Sequence, residues 1–391
     1  MPSLDYKQFT ISRIEAFLKQ IQHLKELDFP YLDSSEALDK ISKHITDQHD
    51  AVSKSVLIDD ALKSRCSRAS DQLFIFQRYL GYISKSSEPI NSFEIYFSFR
   101  RLAARILGEH TRLIISSEWE YYSPVNFSIP TELSNFVFIG LPVAEAENPL
   151  IVPLSGHELG HSIWDNTSFD NKYRALLQTE ILTKYSSSYD NTEIGYMTEV
   201  SLIKCIEYFC DFIGIGLFGE SYLYSFSYLL APKISKSLNQ SHPNAKNRAI
   251  AMLKAAKHFN NDLPTNFENL FKTQLNPSIN RRDKLLEISE NIASSQVDAL
   301  IQDVSILLKN KGVIYAKPSN YSELKSQILS GVPVSSANSL ADITNVAWDV
   351  YFEENKWDDI KISENKKIAF LNELTIKSYE ILEINQRLLE K

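Results

Sequence analysis

The sequence predicts an α+β protein that is predominantly α-helical and carries one small antiparallel sheet. Three observations point there. Apolar residues recur at spacings of three and four over most of the 391-residue chain, the pattern of amphipathic helices. β-Branched and aromatic runs cluster only between residues 112 and 141. Internal repeats and low-complexity segments are absent.

Ile11, Ile14, Phe17, Leu18, Ile21 and Leu24 define a helix near residues 8–27. Leu38, Ile41 and Ile45 open a second, and Val52, Val56 and Leu62 mark a third segment. Two more helices fall at 73–83 and 93–107; Arg100, Arg101 and Arg105 on the latter read as a solvated face, with ligand contact the alternative. Residues 112–122 then form a β run that alternates around Trp119 and Tyr121, and 136–140 form another, bounded by Asn135 and Pro142. A sheet in that place either presents an edge to an extended peptide or only packs on helices.

Pro149 and Pro153 lead into a helix at 154–164, because proline is tolerated in a first turn, and Asp165 with Asn166 closes it. Residues 167–199 are polar and rich in Tyr and Ser, which reads as a helix at 173–185 and a loop. The chain is strongly apolar from 200 to 230. Within it, 212–231 contains Glu220 and several Gly, Ser and Tyr residues, so a buried helical pair fits better than a membrane span. Helical patterns follow at 245–259, 281–292, 297–308, 321–329, 340–352 and 363–389, with a linker-like loop at 330–338.

A net charge of −8 argues against broad contact with a phosphate backbone, so no nucleic-acid partner is expected. Cys66, Cys205 and Cys210 are too few for a disulfide framework, and the first residues carry no apolar signal core. The expectation is a cytoplasmic protein in a reducing compartment, without a membrane partner.

Chemistry concentrates at His157-Glu158-Leu159-Gly160-His161, an H-E-x-x-H pattern. On a helix the two imidazoles share one face, with Cβ atoms about 5–6 Å apart, which lets both bind one Zn²⁺. Glu158 lies roughly 100° round the helix, where it reaches water without ligating. A satisfied pair of core histidines is the bland alternative. It is weakened because Leu154, Leu159, Ile163 and Trp164 make this helix apolar on several sides, and buried imidazoles need partners.

A third ligand is needed. Glu207 and Asp211 are four apart on an otherwise apolar helix, where two buried carboxylates cost several kcal/mol unless a metal or protonated partner offsets them. Glu207 as ligand, with Asp211 accepting an N–H from a ligating His, satisfies both. Cys210 and the acidic residues Asp170, Glu180 and Glu193 are competing candidates; Cys205 and Cys210 otherwise read as small buried hydrophobes.

With H-E-x-x-H followed by E-x-x-x-D, the chain resembles the gluzincin group of zinc metallopeptidases. Trp164 and Thr167 stand where metzincins carry Gly and His, and Cys66 lacks a deformylase-like context. The stretch His242-Pro243-Asn244-Ala245-Lys246-Asn247-Arg248 is similar to the H-P-x-x-x-x-R element of CaaX-type peptidases and their soluble relatives. The long separation of His161 from Glu207, and Ile206 where an Asn would precede the ligand, mark a divergent branch.

The resemblance implies a zincin-like core over residues 111–260, between a helical N-terminal region (1–110) and a helical C-terminal region (261–391) that packs on it. It implies selective, Zn²⁺-dependent hydrolysis of a protein or peptide, with Glu158 as general base. His242 would stabilise the oxyanion, with Tyr222, Tyr224 and Tyr228 as alternatives, or would merely cap the next helix. Arg248 would orient His242 or grip substrate. A non-catalytic zinc sensor on the same core is the competing function, and a non-peptide amide substrate is not excluded.

Overall fold

A computed structural model describes residues 5–87, 93–118, 129–231, 234–235, 238–265, 267–273, 280–354, 356–357, 360 and 362–389. Trp119 and Tyr121 lie outside them. Two compact units emerge: Met1–Ser92 with His110–Ala144, and Phe93–Glu109 with Glu145–Lys391. The division is not consecutive in sequence, whereas the sequence reading placed boundaries at 110 and 260.

The first unit contains α1 (Tyr6–Lys25), α2 (Leu32–Ser53) and α3 (Asp59–Lys85), with strands β1 (Arg112–Glu118) and β2 (Phe136–Pro142). Asp5 caps α1 by accepting the Gln8 N–H at 3.0 Å. Ile14 and Ile21 of α1 meet Leu38, Ile41 and Ile45 of α2 and Leu73, Phe76 and Ile83 of α3 in one apolar core. The segments expected at 52–62 and 73–83 resolve differently: Val52 ends α2, Val56 is exposed between helices, and Leu62 starts a single long α3.

β1 and β2 pair in parallel, Arg112 opposite Phe136 through Glu118 opposite Pro142, which corrects the antiparallel expectation. Residues 119–135 are long enough for a crossover, where an antiparallel pair is usually joined by a tight hairpin turn. Both strands are buried almost continuously, as parallel strands are, without the alternation of a one-sided sheet. They pack on α2 and α3, and Asp33 of α2 accepts the Leu113 N–H at 2.8 Å. The sheet thus belongs to the unit without the H-E-x-x-H helix.

The second unit is helical, with α4 (Phe93–Leu107), α5 (Ser155–Asp165), α6 (Phe169–Tyr185), α7 (Asn191–Phe218), α8 (Glu220–Leu230) and α9 (Ala245–His258). It continues with α10 (Arg281–Ser295), α11 (Val297–Lys311), α12 (Tyr321–Leu329), α13 (Leu340–Tyr351) and α14 (Glu364–Leu389). Two-residue strands β3 (Ile234–Ser235) and β4 (Lys272–Thr273) pair in parallel. Arg101 of α4 bonds to Glu383 at 2.7 Å and to Gln386, and Arg105 to the Lys311 carbonyl at 3.0 Å. These arginines tie α4 to α14 and α11 rather than forming a free solvated face.

α7 is the axis of this unit, packed against α5, α6, α9, α10, α11 and α13. It begins at Asn191, inside the stretch read as loop, because Asp190 and Glu193 form a reciprocal capping box. Gly219, at φ 64°, ends α7 and starts α8, giving the buried helical pair expected from residues 212–231. Among the described residues no helix is long and apolar enough to cross a membrane.

Candidate metal centre

α5 enters through a 3₁₀ segment, Pro149–Leu154, that accommodates both prolines. Its close approach to α7 comes from two glycines. A Cβ at Gly160 would stand 2.7 Å from Cys210 Cα, a distance that side-chain-bearing residues do not sustain, and one at Gly156 would stand 3.0 Å from Gly214 Cα, where the neighbour would have to give by a few tenths of an ångström. Gly156 and Gly160 flank His157 and Glu158, so the spacing that aligns the histidines also aligns the notch α7 fills. Trp164 locks the contact edge-on against Phe209, with ring centroids 5.1 Å apart.

The His157 and His161 rings meet edge to face at 5.0 Å. Glu207 faces both: its Oε2 is 3.6 Å from His157 Nε2 and its Oε1 is 3.8 Å from His161 Nε2. Donors sharing one tetrahedral ion at about 2.0–2.1 Å stand about 3.4 Å apart, so a modest contraction suits this trio. Glu207 Oε2 is buried and accepts no hydrogen bond, although His242 Nε2 and Arg248 Nη2 lie 3.4 and 3.5 Å away.

Asp211, one turn on, is saturated. It accepts from His157 Nδ1 at 3.0 Å, Tyr222 Oη at 2.6 Å, and Arg248 through Nε at 2.6 Å and Nη2 at 2.8 Å. An ionised carboxylate only accepts, so His157 Nδ1 carries a proton. Burial opposes charge on His157, but Asp211 and Glu207 outweigh it and raise its pKa, so in the metal-free chain they favour a proton on the Nε2 that faces Glu207 as well. Burial opposes the charge on Asp211, but the Arg248 guanidinium and the His157 bond outweigh it and hold the carboxyl well below its usual range. The same conflict at Glu207 resolves the same way, with His157, His242, Arg248 and His161 keeping it ionised.

Burial lowers the His161 pKa to about 4, leaving a neutral imidazole suited to ligation. Burial likewise raises Glu158 to about 7, with Glu207 adding and His157 opposing. Glu158 keeps part of its surface open and makes no hydrogen bond or ion pair among the described residues. A carboxyl so placed is available to a ligand.

Cys210 is the rival donor, because its Sγ falls with nitrogens of His157 and His161 in a group no more than 4.8 Å across. Two facts favour Glu207. The thiol is held neutral by burial and by the neighbouring Glu207 and Asp211 charges, and its sulfur lies against Gly160 in the helix contact. Glu207 is already anionic and has an oxygen without a hydrogen bond.

His242 sits at the rim, 41% of its side chain exposed, on the segment before α9. Asn244 caps α9 by accepting the Asn247 N–H at 2.9 Å, so His242 is not the cap. The other candidates are engaged elsewhere. Asp170 pairs with Arg174, Glu180 with Lys184, and Glu193 with Arg281. Tyr222 is wholly buried on Asp211, whereas Tyr224 and Tyr228 stack around Trp348.

Sequence reasoning did not foresee the roles of Lys204, Glu290, Gly156 and Gly160. A lone lysine on an apolar helix one turn before Glu207, and a G-x-x-x-G threaded through H-E-x-x-H, were the signals. The chain matches no protein family, no curated protein and no solved structure.

Proposed function

We propose that the chain is a zinc-dependent hydrolase of peptide bonds, with a zincin-like core in its second unit. His157, His161 and Glu207 would hold the ion. The observation that carries this reading is Glu207 Oε2: a buried anionic oxygen, with no hydrogen bond, that faces Nε2 of a histidine whose Nδ1 proton is held by Asp211. A buried carboxylate costs several kcal/mol unless cations offset it, and a metal on Nε2 would take the place of the proton that Glu207 and Asp211 favour there.

Zn²⁺ bound there supplies Lewis acidity to water and to a carbonyl group. Glu158 takes a proton from the attacking water and returns it to the leaving amine; a carboxyl near 7 serves both directions at neutral pH. His242 Nε2, at the open rim, is the donor toward oxyanion charge on a protein or peptide substrate. Arg248 acts through Asp211, to which its Nε and Nη2 donate, and its charge also faces Glu207.

A second reading has the Cys210 cluster in its favour: a non-catalytic metal module ligated by His157, His161 and Cys210. X-ray absorption on the protein purified without added metal separates the two. The peptidase reading expects zinc at one per chain, lost in His157→Ala, with no Zn–S bond near about 2.3 Å. Glu158→Gln should keep the metal and lose metal-dependent peptide cleavage by two or more orders of magnitude, roughly the scale of a lost general base. Full turnover in that variant, or a Zn–S bond, overturns the peptidase reading.

A further inference from the structure

We propose that Lys204 and Glu290 form a positioning pair that holds the His242 imidazole over Glu207. Lys204 lies on α7 with no exposed side-chain surface, and Glu290 on α10 is equally deep. Lys204 Nζ donates to Glu290 Oε2 at 2.6 Å and to the His242 carbonyl at 3.0 Å. Glu290 Oε1 accepts the Asn244 N–H and Asn247 Nδ2, each at 3.0 Å. One ion pair therefore grips the backbone on both sides of Pro243, at the residue carrying the imidazole and at the cap of the helix that carries Arg248.

The rest of the His242 environment is slight: its N–H donates to Asn239 Oδ1 at 2.8 Å and its Nδ1 meets Ser241 Oγ at 2.8 Å, both in the same exposed loop. Gln240 of that loop donates to Tyr196 Oη on the exposed face of α7 at 2.6 Å, and the His242 imidazole approaches Glu207 at 3.4 Å. Among the described residues it is the Lys204–Glu290 pair that fixes the loop's backbone to the buried face of α7, one turn from Glu207. A buried ion pair of this kind is often replaceable by apolar residues without loss of stability, so stability alone does not account for it. What it specifies is where the loop stands. Deprived of it, His242 keeps its chemistry and loses its address.

This inference uses His242 as part of the site, but its test needs neither turnover nor metal. The metal-free protein is labelled with 13C-histidine, and its eight ring Cε1–H signals are recorded near pH 8, above the usual His pKa of about 6.5. The His242 signal is assigned from His242→Ala. In Lys204→Met/Glu290→Leu, which removes both charges together, it should move to the position and narrow width of a freely rotating imidazole. The His157 and His161 signals should stay in place. Glu290→Gln, a milder change that keeps the volume and one acceptor, should move it part of the way. On metal-loaded protein with a fluorogenic peptide mixture, the double variant should lose roughly tenfold in kcat, the scale for groups that orient a site residue, with KM little changed. An unmoved His242 signal in folded double variant or Glu290→Gln, or equal shifts at His157 and His161, overturns the proposal. Unmoved signals with no peptidase activity anywhere would sink both readings, whereas the predicted shift without activity would sink only the peptidase.

Discussion

At the scale of single residues, Asp211 is the group on which most of the site converges. It accepts from three side chains on three helices, α5, α8 and α9, while sitting on α7. Asp211→Asn would put amide hydrogens where Arg248 and His157 donate. The His157 tautomer would loosen, costing about 10–100-fold in metal affinity or rate. Equilibrium dialysis against a zinc indicator measures it, and affinity unchanged in that variant removes Asp211 from the site. Tyr222→Phe deletes one donor and leaves the other two side chains in place, so it should cost only about 1 kcal/mol of stability and little metal affinity.

At the scale of elements, the site depends on how near α5 comes to α7. A methyl group at Gly160 meets backbone, which cannot yield as a side chain would, so the helices must part. Gly160→Ala should destabilise by about 1–3 kcal/mol, as overpacking does, and should weaken zinc binding with it. Gly195 provides the contrast on α7 itself, because nothing lies within 4 Å of a Cβ there. Gly195→Ala should stabilise by up to about 1 kcal/mol through helix propensity. Urea midpoints of the two variants should move in opposite directions, and a shared direction would show that the contact is not tight.

At the scale of the whole molecule, pH reports on carboxyls away from the site. Burial raises Glu220 at the start of α8 to about 7, with Asp262 and Asp349 adding and Lys317 opposing. Burial raises Asp165 to about 6, with Asp170 adding. From the ordinary carboxyl range up to those values, the folded chain binds more protons than the unfolded one, so stability falls as pH rises. The favourable contribution is complete below about 4.5 and gone above about 7. Glu220→Gln should therefore raise Tm at pH 8 and leave it nearly unchanged at pH 5. A Tm gain equal at both values would mean that Glu220 titrates normally.

Local pattern by itself determined the helical character of the chain and the residues that share a face. His157 with His161, and Glu207 with Asp211, follow from three to four residues per turn and need no tertiary information. The apolar surroundings marked both helices as buried, which made their polar groups conspicuous. Tertiary structure alone decided which polar group meets which. The parallel sense of β1 and β2, and their place in the first unit, depend on how the strands meet each other and α2 and α3, which the local pattern does not state. The start of α7 was legible in Asp190 and Glu193 but was obscured by the polar residues around them. Lys204 and Glu290 are far apart in sequence, and a lone charge on an apolar helix tells that a partner exists without telling which one. Pairing across elements is settled by packing, and packing is a property of surfaces that the linear order of residues does not place together.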